Sequence, residues 1–251
     1  MMISAVVLSG SLNKGPLRES DQVDYEALLP MGTKVMVEYV IEALLLSQYI
    51  EHIVVVGPVA ELQARLSNPR VTVTDVAGDV VDNLEAGLKL LPTARRVLIA
   101  TSDVPLLTAS AVDSFVEQCG DMSGDIYYPV IPKSALEKRF ANVKRTYVKL
   151  REGVFTGGNV FLLNPAVIDK CAANGRRLFE LRKSPVGLCR IIGVSFLLKY
   201  LLGLLTLEDV REKASILFGV RGEVVVSHNP EIGVDVDKPG DLKLVRSFLD
   251  V

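Results

Sequence analysis

Short, wholly apolar runs alternate with amphipathic stretches through the first half of the chain. Residues 3–9, 53–57, 71–74 and 97–101 are rich in β-branched residues and mostly end in Ser, Gly or Thr, the pattern of strands buried on both faces of a parallel sheet. Between them, residues 35–48, 60–66 and 80–91 place apolar side chains at helical spacing. This alternation predicts βαβ units. Beyond about residue 120 the rhythm loosens. Residues 126–130, 143–150, 159–163 and 223–226 read as strands joined by longer connections, which predicts a mixed, partly antiparallel second half.

No internal repeat and no Gly/Ser or Pro linker divides the chain, so the expectation is a single domain over residues 1–251 with a helical insert at about 186–219. That insert is the most hydrophobic stretch. Thr206 and Asp209 have the spacing of a capping box, which splits it into a helix near 195–202 and another near 207–218. Arg190, Gly193, Lys199 and Gly203 interrupt it, and neither part reaches the ~20 apolar residues that a bilayer requires. A packed helical pair is the expectation. An apolar face left open there would suit a homodimer contact, an apolar partner or a lipid-like acceptor.

The 251 residues carry 49% hydrophobic and 23% charged side chains and a net charge of −2. Such a balance gives no general attraction to nucleic acid or anionic membrane, so any phosphate must be met by a local cluster of cations. Cys119, Cys171 and Cys189 lack the spacing of a metal site or a redox motif, which suits free thiols in a reducing compartment. The start, MMISAVVLSG, shows no basic leader or signal-like apolar region. A cytoplasmic protein is expected.

The candidate chemistry begins at residues 95–107, RRVLIATSDVPLL, where an apolar run ends in Thr101, Ser102 and Asp103 before Pro105. A carboxylate at the carboxyl end of a buried strand lies where open α/β sheets bind their ligands. It is equally placed to cap the helix that follows. In GVDVDKPGDL the acids alternate with valines, so extended backbone would turn Asp235 and Asp237 to one face. Asp103 with this pair would suit Mg²⁺, or Mn²⁺ in its place. Asp241 reads as a cap for the last helix. The first loop offers Gly10, Lys14, Gly15 and Arg18, followed by LLPMGTK with Lys34. Glycines allow close approach to phosphate and the cations supply charge, yet the loop fits neither GxGxxG nor GxxxxGK[ST]. In FTGGNVF, Gly157 and Gly158 suit a turn or bulge, while Asn159 brings an amide that can bind a polar ligand. Asp82 and Asn83 open a helix and serve as caps or as a phosphate or base contact. His52 reads as a surface residue, and His228 precedes the acidic segment.

In this order, the Gly10 loop, EALLPMGTKVMVEYVIEAL, NLEAGL, SDVPLL, TGGNVFL and GVDVDKPGDL resemble the molybdenum cofactor guanylyltransferase-like (MobA-like) nucleotidyltransferases, relatives of the sugar-1-phosphate nucleotidyltransferases. The resemblance covers residues 3–163 and 223–251, and SDVPLL and KVMVEYVIEAL are its strongest pieces. It implies a three-layer α/β/α, GT-A-like and Rossmann-like fold with a mixed, mostly parallel sheet. It also implies transfer of a nucleoside monophosphate from a triphosphate to a phosphorylated acceptor such as a sugar phosphate or cofactor precursor, with pyrophosphate released. By position it assigns Asp103 and Asp235 to the metal, Gly10 and Asn83 to the nucleotide, and Gly158 with Asn159 to the acceptor; the neighbouring Asp237 is expected to join the metal set, Leu8, Ser9 and Ser102 the nucleotide set, and Gly157 the acceptor set. Lys14, Arg18 and Lys34 would supply the catalytic charge. One departure stands out. The family loop reads like LAGGxGxRMG with a lysine before an Ala-Leu or Val-Leu pair, whereas this chain has LSGSLNKGPLRES and Glu26 before Ala27-Leu28. Two readings follow: an active Mg²⁺-dependent nucleotidyltransferase, or a catalytically degenerate nucleotide-binding regulatory or assembly subunit. A glycosyltransferase is disfavoured, because Ser102-Asp103 is not an Asp-x-Asp pair.

Overall fold

The computed structural model describes residues 2–141, 143–181 and 192–251. Four parallel strands form the first half of the sheet, in the spatial order β5 (Val71–Thr74), β4 (Ile50–Val56), β1 (Ile3–Leu8) and β6 (Val97–Thr101). The side chains of β1, β6 and the second half of β4 are almost wholly buried on both faces, which is why these runs are apolar without alternation. Helices α1 (Met36–Leu46), α2 (Val59–Leu62) and α3 (Val80–Lys89) supply the crossovers, and α4 (Ala109–Gln118) follows β6. The two faces of the sheet feed separate clusters. Ala5, Val7, Ile53 and Val55 pack against α1 and α4, whereas Val6, Val54 and Val56 face α3.

The second half is mixed, as the looser rhythm predicts. β7 (Ile126–Pro132) runs through its centre, with β11 (Gly222–Val226) parallel on one edge. On the other edge the chain passes in two pieces: β9 (Gly153–Gly157) pairs the far end of β7, then β10 (Val160–Leu163) pairs its start and also β6, all antiparallel. β8 (Val148–Leu150) closes the sheet against β9. The strand predicted over 143–150 is therefore shortened, because residues 144–146 line the functional cleft instead of a ladder. The helix α5 (Lys133–Arg139) and a two-strand ribbon of β2 (Pro30–Met31) and β3 (Lys34–Val35) carried no strong pattern and went unpredicted.

Helix starts follow side-chain chemistry. The Asp79 carboxylate accepts from the amides of Val81 and Asp82 at 2.7 and 2.9 Å, and Asp82 reaches back to the Asp79 amide at 3.0 Å. The cap of α3 is thus Asp79, ahead of the Asp82 and Asn83 pair considered from sequence. Thr108 caps α4, so Asp103 is not its cap. Helix α6 (Ile168–Leu181) precedes the insert, which holds α7 (Val194–Leu201) and α8 (Leu207–Phe218), and the predicted Thr206–Asp209 box opens α8. Positions 186–191 of the insert, and Cys189, lie outside the described residues. Asp241 accepts from the Lys238 amide at 3.0 Å and starts α9 (Pro239–Leu249). Cys119 and Cys171 are buried free thiols, and burial pushes the Cys119 thiol up to about 12. Among the described residues no helix is long and apolar enough to cross a membrane.

Gly87 sets the approach of α3 to the sheet. A Cβ there would lie 2.6 Å from Cγ1 of the fully buried Val6. Gly175 on α6 has its nearest such neighbour, Val81 Cγ2, at 3.8 Å. Gly87→Val is expected to destabilise the fold by about 2 kcal/mol or more through overpacking, while Gly175→Ala gains up to about 1 kcal/mol of helix propensity. Urea denaturation distinguishes the two; equal effects would refute this account of α3 packing.

Candidate active site

Four segments remote in sequence meet at the carboxyl edge of β1 and β6. The Ser102 amide donates to the Leu8 carbonyl at 3.2 Å and the Thr101 amide to the Asn159 carbonyl at 3.1 Å. The Asn159 amide in turn donates to the Ile232 carbonyl at 2.9 Å, and the Val236 amide to the Asp103 carbonyl at 2.9 Å. Residues 234–237 form no strand, yet the alternation predicted for them holds: Val234 and Val236 are 1% exposed and pack in the core, while Asp235 and Asp237 turn outward. One carboxylate oxygen from each of Asp103, Asp235 and Asp237 lies within 4.8 Å of the other two. The sequence reading of these three acids as one group is thereby reproduced in space.

Their charges are managed unequally. Burial pushes the Asp103 carboxyl up to about 6, and the negative charges of Asp237 and Glu26 push the same way against a hydrogen bond donated by Thr101 Oγ1. Asp235 is paired with Arg145, and the two side chains are only 15% and 14% exposed. Among the described residues, Nε of Arg145 and Nδ2 of Asn159 are buried donors with no partner, an arrangement that folded proteins tolerate chiefly where a ligand or water completes it. Three oxygen donors of this kind match the preference of Mg²⁺ for hard carboxylate ligands.

The acids Asp235 and Asp237 open on a cleft of about 860 Å³ that Gly157, Gly158, Asn159, Lys144, Lys238 and Tyr128 also line. A Cβ on Gly158 would fall 2.8 Å from Ile232 and 2.9 Å from Pro129, so this turn is closed to larger residues. The cations Lys144, Arg145 and Lys238 went unnoticed in the sequence, since nothing local marks residues 144 and 145 as facing an acid about ninety positions later. The first loop lies at the adjacent edge. Gly10 is tight against Asn83, whose Nδ2 would sit 2.9 Å from an added Cβ. Asn83 itself is buried, and its Oδ1 accepts from the amides of Ala77 and Gly78 at 2.8 and 3.3 Å, so it shapes the loop beside Gly10. Ser9 and Ser102 are buried beneath the same edge.

The three cations expected to serve catalysis are placed differently. Lys34 is bound to Glu42 of α1 at 2.6 Å, and Arg18 donates to the Asn13 carbonyl at 3.1 Å and lies 3.7 Å from Asp24. Lys14 is exposed in the first loop. Glu26 accepts from Ser11 Oγ at 2.8 Å and so belongs to the loop that faces the acids. His228 lines a separate depression with Lys133 and Glu152, and His52 meets Thr72 on the sheet edge at 3.1 Å.

Polar groups gathered at the carboxyl edge of a helix-covered α/β sheet lie where such sheets bind their ligands. The MobA-like NTP transferase domain matches residues 24–183 by sequence profile, more than half of the chain. The chain belongs to this family of nucleotidyltransferases. Among solved structures, a hypothetical transferase from Thermus thermophilus is 38% identical over 96% of this chain and 100% of its own, with a TM-score of 0.84. CMP:2-keto-3-deoxy-manno-octonic acid synthetase complexed with CTP shares the fold at 13% identity, 100% and 99% coverage and a TM-score of 0.62. The 4-diphosphocytidyl-2C-methyl-D-erythritol synthase of Anaerococcus prevotii does so at 10% identity, 100% and 96% coverage and a TM-score of 0.60. The comparison with curated proteins gives no match.

The raised Asp103 carboxyl has a measurable consequence. Between about pH 4 and 6 the folded protein holds a proton that the unfolded chain has released, so stability falls as pH rises through this window. Asp103→Asn lacks that fall. In EDTA the variant is expected to be more stable than wild type by up to about 3 kcal/mol near pH 7.5 and by almost nothing near pH 4. Denaturant titrations at the two pH values check this, and an equal difference at both would refute it.

Proposed function

We propose that the protein transfers a nucleoside monophosphate from a nucleoside triphosphate to a phosphorylated acceptor in a Mg²⁺-dependent reaction that releases pyrophosphate. The observation that carries this reading is the convergence of Asp103, Asp235 and Asp237 beside a cleft that also holds Lys144, Arg145 and Lys238. Acids to hold a metal and cations to hold phosphates occur together there, as joining two anionic substrates demands. When bound, Mg²⁺ would offset the charge of the triphosphate and of the three acids.

The remaining work is positioning. Gly10, with Ser9 and Leu8 behind it, offers main chain to the nucleotide, and Asn83 fixes the loop opposite. The turn at Gly158, packed tight on Ile232 and Pro129, shapes the cleft wall offered to the acceptor, and the side-chain Nδ2 of Asn159, without a partner among the described residues, is a donor for it. The cleft cations draw the acceptor phosphate in, so that its oxygen attacks the α-phosphorus in line as the bond to the β-phosphate oxygen breaks. A new phosphorus–oxygen bond replaces the old one, and pyrophosphate leaves. Of the three cations expected from sequence, Lys14 alone is free of an acidic partner among the described residues and can reach for the leaving group. Arg145, paired with Asp235, is the second source of charge, and a metal held by the acids would supply the counter-charge that Asp235 draws from it.

Glu26 favours the second reading, a nucleotide-binding regulatory or assembly subunit, because its charge adds to the acidic cluster where the family places a lysine. A screen of the four common triphosphates against sugar phosphates and cofactor-type phosphates, with pyrophosphate detected, separates the two. Transfer predicts pyrophosphate only with both substrates and Mg²⁺ present, and Asp103→Asn lowers the rate by about 100-fold or more. Tight nucleotide binding with no pyrophosphate from any pair supports the regulatory subunit.

The metal is tested independently of turnover. Arg145→Met leaves Asp235 buried without its counter-charge and is expected to cost about 3 kcal/mol in EDTA. Millimolar Mg²⁺ should restore most of that loss, as read by the midpoint of thermal unfolding. A loss that Mg²⁺ leaves untouched would refute the assignment of Asp235 to the metal.

A further inference from the structure

The cleft shares a wall with a second cavity, and the wall is Tyr128. The register of β7 brings Tyr128 into one row with Val224 of β11 and places it beside Phe161 of β10, while Ile126 stands in line with Leu163 and Gly222. These side chains floor a cavity of about 380 Å³. Cys171, Ala172 and Gly175 of α6 and Val210, Ala214 and Phe218 of α8 roof it, and Val81 and Leu84 of α3 close its side. Its walls are almost entirely hydrocarbon, with Arg211 and Glu223 the charged residues among them.

Tyr128 belongs to both spaces. Its hydroxyl would lie 2.3 Å from a Cβ on Gly157, so glycine at 157 lets the phenol cross the sheet edge to the polar cleft. The side chain remains 43% exposed although it sits in the middle of a strand. A molecule with its phosphate among Lys144, Arg145 and Lys238 therefore has hydrocarbon-lined space on the other side of the Tyr128 ring. The volume falls in the range of ligand pockets, roughly 300–1,000 Å³, and an apolar cavity of this kind takes up hydrocarbon in preference to water.

We propose that the acceptor is an amphiphile: a phosphomonoester whose apolar tail occupies the cavity between β7, β10, β11 and helices α3, α6 and α8. This rests on the nucleotidyltransferase reading and narrows its acceptor class. It also gives the helical insert a task, since α8 supplies part of the roof. A sugar phosphate has hydroxyls to satisfy and finds few polar partners beyond Tyr128, whereas an alkyl or isoprenoid chain needs only removal from water.

The test uses n-alkyl phosphates from ethyl to decyl, below their micelle concentrations, titrated into the full chain by calorimetry without nucleotide. Affinity is expected to rise by up to about fourfold per methylene and to level off when the cavity is filled. Ala214→Phe on α8 and Ala172→Phe on α6 each narrow the cavity from a different helix; whichever folds with wild-type circular dichroism should lose most of that gradient. Vesicles of phosphatidylcholine carrying dodecyl phosphate distinguish the two sources of such a tail. Sedimentation with them assigns a membrane-held acceptor, and binding of the monomers alone assigns a free one. Affinity independent of chain length, or a gradient that survives both substitutions, overturns the proposal. Because no turnover is required, pyrophosphate release with short acceptors and a flat chain-length series would remove the tail site and leave nucleotidyl transfer standing.

Discussion

Four main-chain hydrogen bonds hold like charges together, and the site depends on them. Ser102 to Leu8, Thr101 to Asn159, Asn159 to Ile232 and Val236 to Asp103 tie β1, β6, the 158–159 turn and the 232–237 segment to one point. Side-chain forces alone would scatter Asp103, Asp235 and Asp237, since each carboxylate raises the cost of ionising its neighbours. The backbone is committed by the buried ladders on either side, so the acids have no cheap way to separate. Asp103 shows the cost: burial first, and then the charges of Asp237 and Glu26, hold its carboxyl up at about 6, while Asp235 is balanced by Arg145.

This arrangement changes the meaning of Glu26. Viewed as one position in a motif, a carboxylate in place of a lysine suggests lost activity. Within the fold it is one charge in a field that also contains Lys144, Arg145 and Lys238, all delivered from the second half of the chain. These three side chains bring positive charge to the acids from outside the first loop, which is therefore not the sole source of cations near them. Lys34, by contrast, is bound to Glu42 and contributes to the hairpin that leads into α1.

Much of the fold was legible because its signals are local and redundant. The apolar runs of β1, β4 and β6 could be buried only in a covered parallel sheet, and Thr206–Asp209 announced the start of α8. The acids of the site were legible for a similar reason: strand-end placement for Asp103, and two-residue periodicity for Asp235 and Asp237. What escaped was decided by long-range pairing. Residues 143–147 have a strand-like composition, yet Arg145 is drawn to Asp235 and the ladder begins only at Val148. The exchange of β9 for β10 along β7 depends on a kink at Gly158 and Asn159 whose partners lie at 101, 129 and 232. Asn83 showed that a polar residue at a helix start was important, but its amide is spent on the Ala77 and Gly78 loop.

Helix α3 has two audiences. Its Asn83 abuts Gly10, while Val81 and Leu84 on either side of it wall the apolar cavity. Arg176 reaches from α6 to Asp79, Asp82 and Glu85 and pins that roof to the same helix. Gly87 leaves α3 no slack against Val6. The two spaces are therefore mechanically coupled. A substitution that enlarges Leu84 or Val81 presses on the same helix that frames Gly10, so the shape of the first loop and the shape of the apolar cavity cannot change independently.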